Sequence, residues 1–364
     1  MQKAKILTFH NAENYGATLQ AYALKETLKK LEVDASFVNY KDKTILSDYK
    51  LIKTHSLKSF FSSLWYLPRN LKRKKSFKSF SDKYLDTNKK VYLTKEEIEQ
   101  DINDKDIYVA GSDQIWNPSL TGGLSDIYTL NFGNQDMTKV IYGASLGNEE
   151  LLQKYASDFK TKTEGLKYIS VREKSIIKPL EDICNKKIEQ VIDPTLLLKK
   201  VDWEKLINEN KKVNLEDKDY ILVYTLFEND EITKITNHIS SITGLKVVHF
   251  RKYNAYNNEL MNLYSKGSVD FINAFRNAKY IITNSFHGTV FSLIFEKKFY
   301  SVLPQTRAGR IKDLLKDLEL EDRIIQNREQ INLDSTIDYI KVNKKIELLR
   351  ASSIKFLKKG ITNV

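Results

Sequence analysis

The 364-residue sequence predicts an α/β protein of two doubly wound domains, each a parallel sheet flanked by helices. Three observations carry that reading. Residues 280–295 read as a short apolar strand, Tyr280-Ile281-Ile282-Thr283, that turns through Asn284, Ser285 and Gly288 into a helix. Val290, Phe291, Leu293 and Ile294 recur there at helical spacing. Residues 5–40 read as strand, glycine-containing loop, helix and strand, the opening β-α-β unit of such a domain. A second series of the same kind begins at Tyr220, after a polar, lysine-rich stretch.

Taken in order, residues 5–9 form the first strand. The loop His10-Asn11-Ala12-Glu13-Asn14-Tyr15-Gly16-Ala17 leads to a helix over residues 18–31, with Leu19, Tyr22, Ala23 and Leu28 on one face. A second strand covers residues 33–40. Thr94, followed by Glu96 and Glu97, marks a helix start. Further strands are expected at 107–110, 139–142, 168–171 and 191–192, the last stopped by Asp193-Pro194. The second series places strands at 220–224, 246–250, 280–283 and 299–302, with helices from Asp230, over 271–276 and after Ser285. The division that follows is a first domain over 1–198, a linker over 199–218, a second domain over 219–335 and a lysine-rich helical tail over 336–364. Two such sheets facing one another would set a cleft between their mouths.

Composition is that of a globular protein, and no run of eighteen apolar residues is present to span a membrane. The opening residues run straight into a short apolar strand, so no secretory leader is expected. One cysteine, Cys184, rules out an internal disulfide framework, and a cytoplasmic setting is expected. The formal charge of +12 is concentrated: residues 53–83 hold nine Lys/Arg and one acid, interleaved with Phe60, Phe61, Leu64, Trp65, Tyr66 and Leu67. Such a stretch suits an anionic membrane face or a lipid-phosphate substrate, and otherwise a packed helix with a solvated face. No nucleic-acid fingerprint accompanies it, so no nucleic-acid partner is expected.

Candidate chemistry gathers at strand exits, where open α/β sheets bind ligands. His287 stands at the turn of residues 280–295, one residue before a glycine. Unpaired N–H groups of a helix start there favour an anion. The plainer reading is a core histidine. Gly111-Ser112-Asp113-Gln114 places hydrogen-bonding groups without excess charge at another exit, as sugar hydroxyls require. The first loop lacks a full G-x-G-x-x-G pattern, so dinucleotide binding has little support. The five histidines show no paired metal spacing, and neither metal nor cofactor is expected.

Five pieces in this order resemble the polysaccharide pyruvyl transferase family. They are residues 10–17, residues 111–117, Ser170-Val171-Arg172-Glu173, Asp193-Pro194-Thr195, and Thr283-Asn284-Ser285-Phe286-His287-Gly288 with the arginines after it. The resemblance implies two Rossmann-like domains facing a cleft, as in the glycosyltransferase B fold. It also implies transfer of pyruvate from phosphoenolpyruvate onto two hydroxyls of a sugar as a ketal. Carried onto this sequence, the donor would be met by Arg172, His287 and either Arg307 or Arg310, with Asn284 and Ser285 beside them. His287 is the catalytic candidate. Asn14, Tyr15, Gly16, Ser112, Asp113 and Gln114 are expected to hold the acceptor, a sugar or lipid-linked oligosaccharide, with peripheral contact to the membrane surface. Two other functions fit the same residues: a glycosyltransferase using a nucleotide sugar, and a non-catalytic binder of polyanions.

Overall fold

A parallel sheet covered on both faces needs strands that are apolar throughout rather than alternating, and the central strands here have that character. The computed structural model describes residues 2–47, 49, 51, 62–87, 89–215, 219–227, 229–253, 256–304 and 308–362. The chain divides into two compact units. Met1–Leu67, Phe77–Leu198 and Glu347–Val364 form the first, and Pro68–Ser76 with Lys199–Ile346 the second.

The first unit contains β1 (Gln2–Leu7), α1 (Tyr15–Lys30), β2 (Val33–Phe37), β3 (Asn39–Tyr40), β4 (Val91–Tyr92), β5 (Ile107–Asp113), β6 (Lys139–Ala144), β7 (Tyr168–Val171) and β8 (Glu189–Gln190). Six of these strands form one sheet in the order β2-β1-β5-β6-β7-β8, with every neighbouring pair parallel. The winding direction reverses between β1 and β5, the place where such sheets receive ligands. Asn14 starts α1 by accepting the Ala17 N–H at 3.2 Å, and Lys29 and Lys30 suit its negative end. Trp116 is fully buried beyond β5 and meets Phe159 edge-on at 5.4 Å. The last strand lies two residues earlier than the sequence suggests. Ser353 Oγ takes the Ile192 N–H at 3.0 Å and withdraws that residue from the ladder.

The second unit contains β9 (Tyr220–Tyr224), β10 (Lys246–His249), β11 (Glu259–Asn262), β12 (Tyr280–Thr283), β13 (Lys298–Val302) and β14 (Ile324–Ile325). They lie in the order β11-β10-β9-β12-β13-β14, again all parallel. Counted from β9, this is the classical dinucleotide-fold winding, with its reversal between β9 and β12. Chain-wide, α2 (Leu67–Tyr84) lies within the basic stretch, whose residues 53–61 are outside the described residues. Next come α3 (Lys200–Asn208), α4 (Asp230–Thr243), α5 (Ser268–Asn277), α6 (Phe286–Ile294), α7 (Gly309–Asp317) and α8 (Tyr339–Thr362).

Two stretches expected to be peripheral carry core. Within residues 199–218, α3 buries Trp203, Leu206 and Ile207, and Trp203 meets Phe291 at 5.1 Å. In the first unit, the last turns of α8 hold Arg350, which donates to the Leu196 carbonyl at 2.7 Å, and Phe356, whose ring lies 6.4 Å from Tyr142.

The strand-turn-helix at residues 280–295 depends on a missing side chain. A Cβ on Gly288 would stand 2.1 Å from Thr283 Oγ1, so only glycine lets α6 start this close to β12. Gly288→Ala should therefore destabilise the second unit by about 1–3 kcal/mol through overpacking. The check is the urea midpoint; an unchanged midpoint would mean that α6 shifts freely.

Candidate active site

At the exits of the first sheet, a neutral network ties β1, α1 and β5 together. Gln20 Nε2 donates to Thr8 Oγ1 at 2.8 Å, Thr8 Oγ1 donates to the Ser112 carbonyl at 3.2 Å, and the Ser112 N–H returns to Gln20 Oε1 at 3.0 Å. Ser112 Oγ donates to the Gly143 carbonyl at 2.8 Å. A Cβ on Gly111, at φ +133°, would overlap the Tyr142 carbonyl at 1.9 Å, so β5 and β6 approach as closely as they do only through glycine.

Beside this network lies a charged cluster. Arg172, at the end of β7, pairs through Nη1 with Asp193 and through Nη2 with Asp113 at 3.4 Å. Burial alone would pull the guanidinium pKa down, but Asp193, Asp113 and Glu173 outweigh it and hold the pKa up. Asp193 uses its other oxygen to accept from Thr195 N at 3.0 Å and Thr195 Oγ1 at 2.6 Å. Glu173 is buried and accepts from Ser145 Oγ through one oxygen. One guanidinium is thus faced by three carboxylates.

His10 completes this exit. Its Nδ1 donates to the Thr8 carbonyl at 2.9 Å, and its Nε2 faces Asn11 Nδ2 at 3.1 Å, which fixes the neutral tautomer. Burial lowers its pKa to about 4, against smaller raising contributions from Thr8, Asn39 and Asp86.

The second sheet builds its exit differently. Thr283 Oγ1 donates to the Tyr224 carbonyl at 2.6 Å and accepts the Ser285 N–H at 3.0 Å. Asn284 accepts the Leu226 N–H at 2.8 Å and donates to the Phe227 carbonyl at 3.0 Å, joining the two strands at the reversal point. Ser285 caps α6 by accepting the Gly288 N–H at 3.4 Å. His287 lies in the first turn of α6, buried, with its ring 5.3 Å from that of Phe286. The Arg310 guanidinium packs 5.4 Å from the other side chain of this pair, the Phe286 ring.

The sequence candidates therefore separate into groups. Arg172 and Asp113 are brought together in the first unit, and His287, Asn284, Ser285 and Arg310 in the second. Arg307 lies outside the described residues. Asn14, Asp113 and Gln114 are half-buried, whereas Tyr15, Gly16 and Ser112 are enclosed. Asn284 and Ser285 spend their side chains on local backbone, and Gln114 accepts from Asn117 Nδ2 at 2.9 Å. Thr8, Gln20 and Ser145 are site residues that sequence reading did not single out, and Glu173 enters it only as a member of the Ser170–Glu173 piece, with no role. Their partners are 12 to 104 residues away, with no local signal. Among the described residues no His/Cys/Asp/Glu group could hold a metal ion. Two open concavities of the first unit, about 310 and 440 Å³, lie at the opposite, amino ends of its strands, beside Lys139 and Tyr168 and beside Lys3 and Val33. Neither contains any of these residues.

Three comparisons place the chain. The family model for polysaccharide pyruvyl transferases matches residues 14–305. No curated protein sequence matches. Among solved structures, a Listeria monocytogenes protein provisionally described as a UDP-N-acetylglucosamine 2-epimerase is similar, with TM-score 0.58 and 11% identity over 100% of this chain and 97% of that one. The UDP-GlcNAc 2-epimerase from Neisseria meningitidis, bound to UDP-GlcNAc, gives TM-score 0.52 and 9% identity over 100% of both chains. Identities this low carry the fold, which is of the glycosyltransferase B type, and nothing of the chemistry.

Two measurements follow from this geometry. Arg172→Ala strips buried Asp193 of its partner and should cost about 3–5 kcal/mol of stability, read as a fall in the urea midpoint. A midpoint within error of wild type would mean that the cluster is not a buried ion pair in solution. For His10 the unfolded chain takes up a proton near pH 6.5, while the folded ring stays neutral until about pH 4. Stability should therefore fall by roughly 3 kcal/mol as pH drops through that window. A His10→Asn variant should lose this part of the slope; an unchanged slope would assign the acid sensitivity to other groups.

Proposed function

Because the chain belongs to the polysaccharide pyruvyl transferase family, we propose that it transfers pyruvate from phosphoenolpyruvate onto two hydroxyls of a sugar. The acceptor is a polysaccharide unit or its lipid-linked precursor, and the product is a ketal. A proton adds to the methylene carbon of the donor, which becomes the ketal methyl group. One sugar hydroxyl bonds to the adjacent carbon, phosphate leaves with its bridging oxygen, and the second hydroxyl closes the ketal. Of the two hydroxyl protons lost, one balances the methyl group and the other departs with phosphate or solvent.

The observation that carries this reading is the grouping of a histidine and a guanidinium around the first turn of α6. Phosphoenolpyruvate presents a phosphate and a carboxylate on a three-carbon skeleton. A helix amino end, Arg310 and His287 together offer the donors and positive charge that such a ligand needs. We assign His287 as the general acid for the methylene carbon and Arg310 as an anion contact, with Asn284 and Ser285 holding the loop that presents them. Arg307 is proposed as a further contact on the same segment.

The first unit suits the acceptor. Its exit cluster sets three carboxylates against one guanidinium, a poor seat for a multiply charged anion and a good one for hydroxyl groups. Asn14, Asp113 and Gln114 are the proposed acceptor contacts, with Tyr15, Gly16 and Ser112 shaping the loops beneath them. Arg172, implied by the resemblance to touch the donor, is assigned here to hold Asp113 in place.

Phosphate release from phosphoenolpyruvate, measured across lipid-diphosphate sugars, tests the reaction. His287→Asn should lower kcat by about 10²–10⁴-fold with the donor KM nearly unchanged. A raised KM with kcat retained would make His287 a phosphate contact instead. Arg310→Ala should weaken the donor by about 2–5 kcal/mol. Arg172→Lys should move the acceptor KM; movement of the donor KM alone would return Arg172 to the donor. Thermal stabilisation by nucleotide sugars and not by phosphoenolpyruvate would overturn the proposal in favour of glycosyl transfer.

A further inference from the structure

The outward side of α2 and of the turn leading into it combines two features that a solvated surface rarely brings together. Trp65 is 81% exposed, and Leu64 and Leu71 are 41% and 47% exposed. A solitary exposed leucine is ordinary, but an indole left in water beside two of them is not. Around these three, Arg69, Lys72, Lys74, Lys75 and Lys78 are all exposed, and residues 62–81 contain no acid.

The remaining cation of the stretch behaves differently. Arg73 turns inward, donating to the Tyr264 carbonyl at 2.8 Å and lying 5.0 Å over the Tyr264 ring. Phe77, Phe80 and Ser81 are also buried. The helix therefore has one side committed to the protein; on the other, Lys78 is paired with Asp82 at 2.6 Å, and among the described residues Arg69, Lys72, Lys74 and Lys75 have no acidic partner. Leu71 and Lys72 lie three and four residues after Pro68, and Lys75 and Lys78 follow Lys72 at three-residue steps, so the five share one helical face.

We propose that this face docks the protein on an anionic lipid bilayer. The lysines and Arg69 complement acidic headgroups, and Trp65, Leu64 and Leu71 enter the headgroup boundary, where an indole is favoured over water. A nucleic acid would use the same cations by counterion release but has no use for the two leucines. No helix among the described residues is long and apolar enough to cross a membrane, so contact through this face is peripheral. The docking stands independently of the reaction proposed above.

The chain supplies its own reporter. Of its three tryptophans, Trp116 and Trp203 are fully buried, so a blue shift of emission on adding vesicles reports Trp65. With the full-length protein, vesicles of phosphatidylcholine containing phosphatidylglycerol should pellet the protein and shift its emission, and phosphatidylcholine vesicles should do neither. Lys72→Ser/Lys74→Ser/Lys75→Ser, which spares the inward Arg73, should weaken anionic-vesicle binding about 100-fold. Trp65→Ser should weaken the binding that persists when salt screens the charges. All four positions are exposed, so both variants should keep the wild-type melting temperature. The proposal is overturned if wild type ignores anionic vesicles, or if neither variant loses binding. Tighter binding to duplex DNA than to vesicles, lost in the lysine variant and kept in Trp65→Ser, would assign the face to nucleic acid and overturn it equally.

Discussion

A guanidinium can be buried only where carboxylates meet it, and Arg172 imposes that condition on several strand exits of the first sheet. Asp193 answers with one oxygen and uses the other to cap the turn at Thr195, so a single side chain neutralises the charge and stops the chain after β8. Asp113 answers from a left-handed backbone position, φ +69°, which β5 reaches through Gly111. Gly143, at φ +59°, takes a left-handed turn on β6 that favours glycine, and a Cβ there would press on the Ser112 hydroxyl at 3.0 Å beside the stem of Arg172. The position of Asp113, the most exposed carboxylate of the cluster, is therefore a consequence of satisfying a charge below it.

At the exits of β9 and β12 the second sheet meets the same architectural problem with neutral groups. Thr283, Asn284 and Ser285 lock β9, β12 and the start of α6 with neutral hydrogen bonds, and Gly288 lets the helix sit against the strand. His287 and Arg310 lie beside this neutral scaffold and are the groups that the proposed donor would meet. The contrast matters because a buried carboxylate near an anion site raises the cost of binding there, while a neutral scaffold does not. The proposed division, donor to the second unit and acceptor to the first, sets each ligand beside the electrostatics it would tolerate.

What could be read from sequence follows the same physics. The β-branched and aromatic runs at 107–110, 168–171, 220–224 and 280–283 announce buried parallel strands because such strands are apolar on both faces. β11 could not be read this way: Glu259-Leu260-Met261-Asn262 is a half-buried edge with neither alternation nor a continuous apolar run. The segment over 199–218 hid a legible signal, Trp203, Leu206 and Ile207 at helical spacing, beneath a lysine-rich composition. At the site, Asn284 and Ser285 were legible as members of a strand-helix turn, but their roles were not. A side chain that caps a helix and one that contacts a ligand look alike until partners are known. The partners of Arg172 lie 21 and 59 residues away, beyond any local pattern.

The histidines show why residue type alone does not locate the chemistry. Three of them stand near strand exits, and all three are buried. His10 is held neutral by burial, with one nitrogen given to the Thr8 carbonyl and the other to Asn11, so it has no proton to deliver at neutral pH. His249 is likewise pushed down by burial. It accepts the Arg251 N–H at 3.1 Å, with Glu259 only partly restoring its basicity from 3.0 Å. Both rings are used to finish a loop. His287 instead sits in the first turn of a helix, where Ser285 already caps the backbone and a guanidinium packs on the adjacent ring. A proton donor for an anionic enol ether has to lie where negative charge is welcome, which is why the proposed reaction assigns that role to His287 and not to His10 or His249.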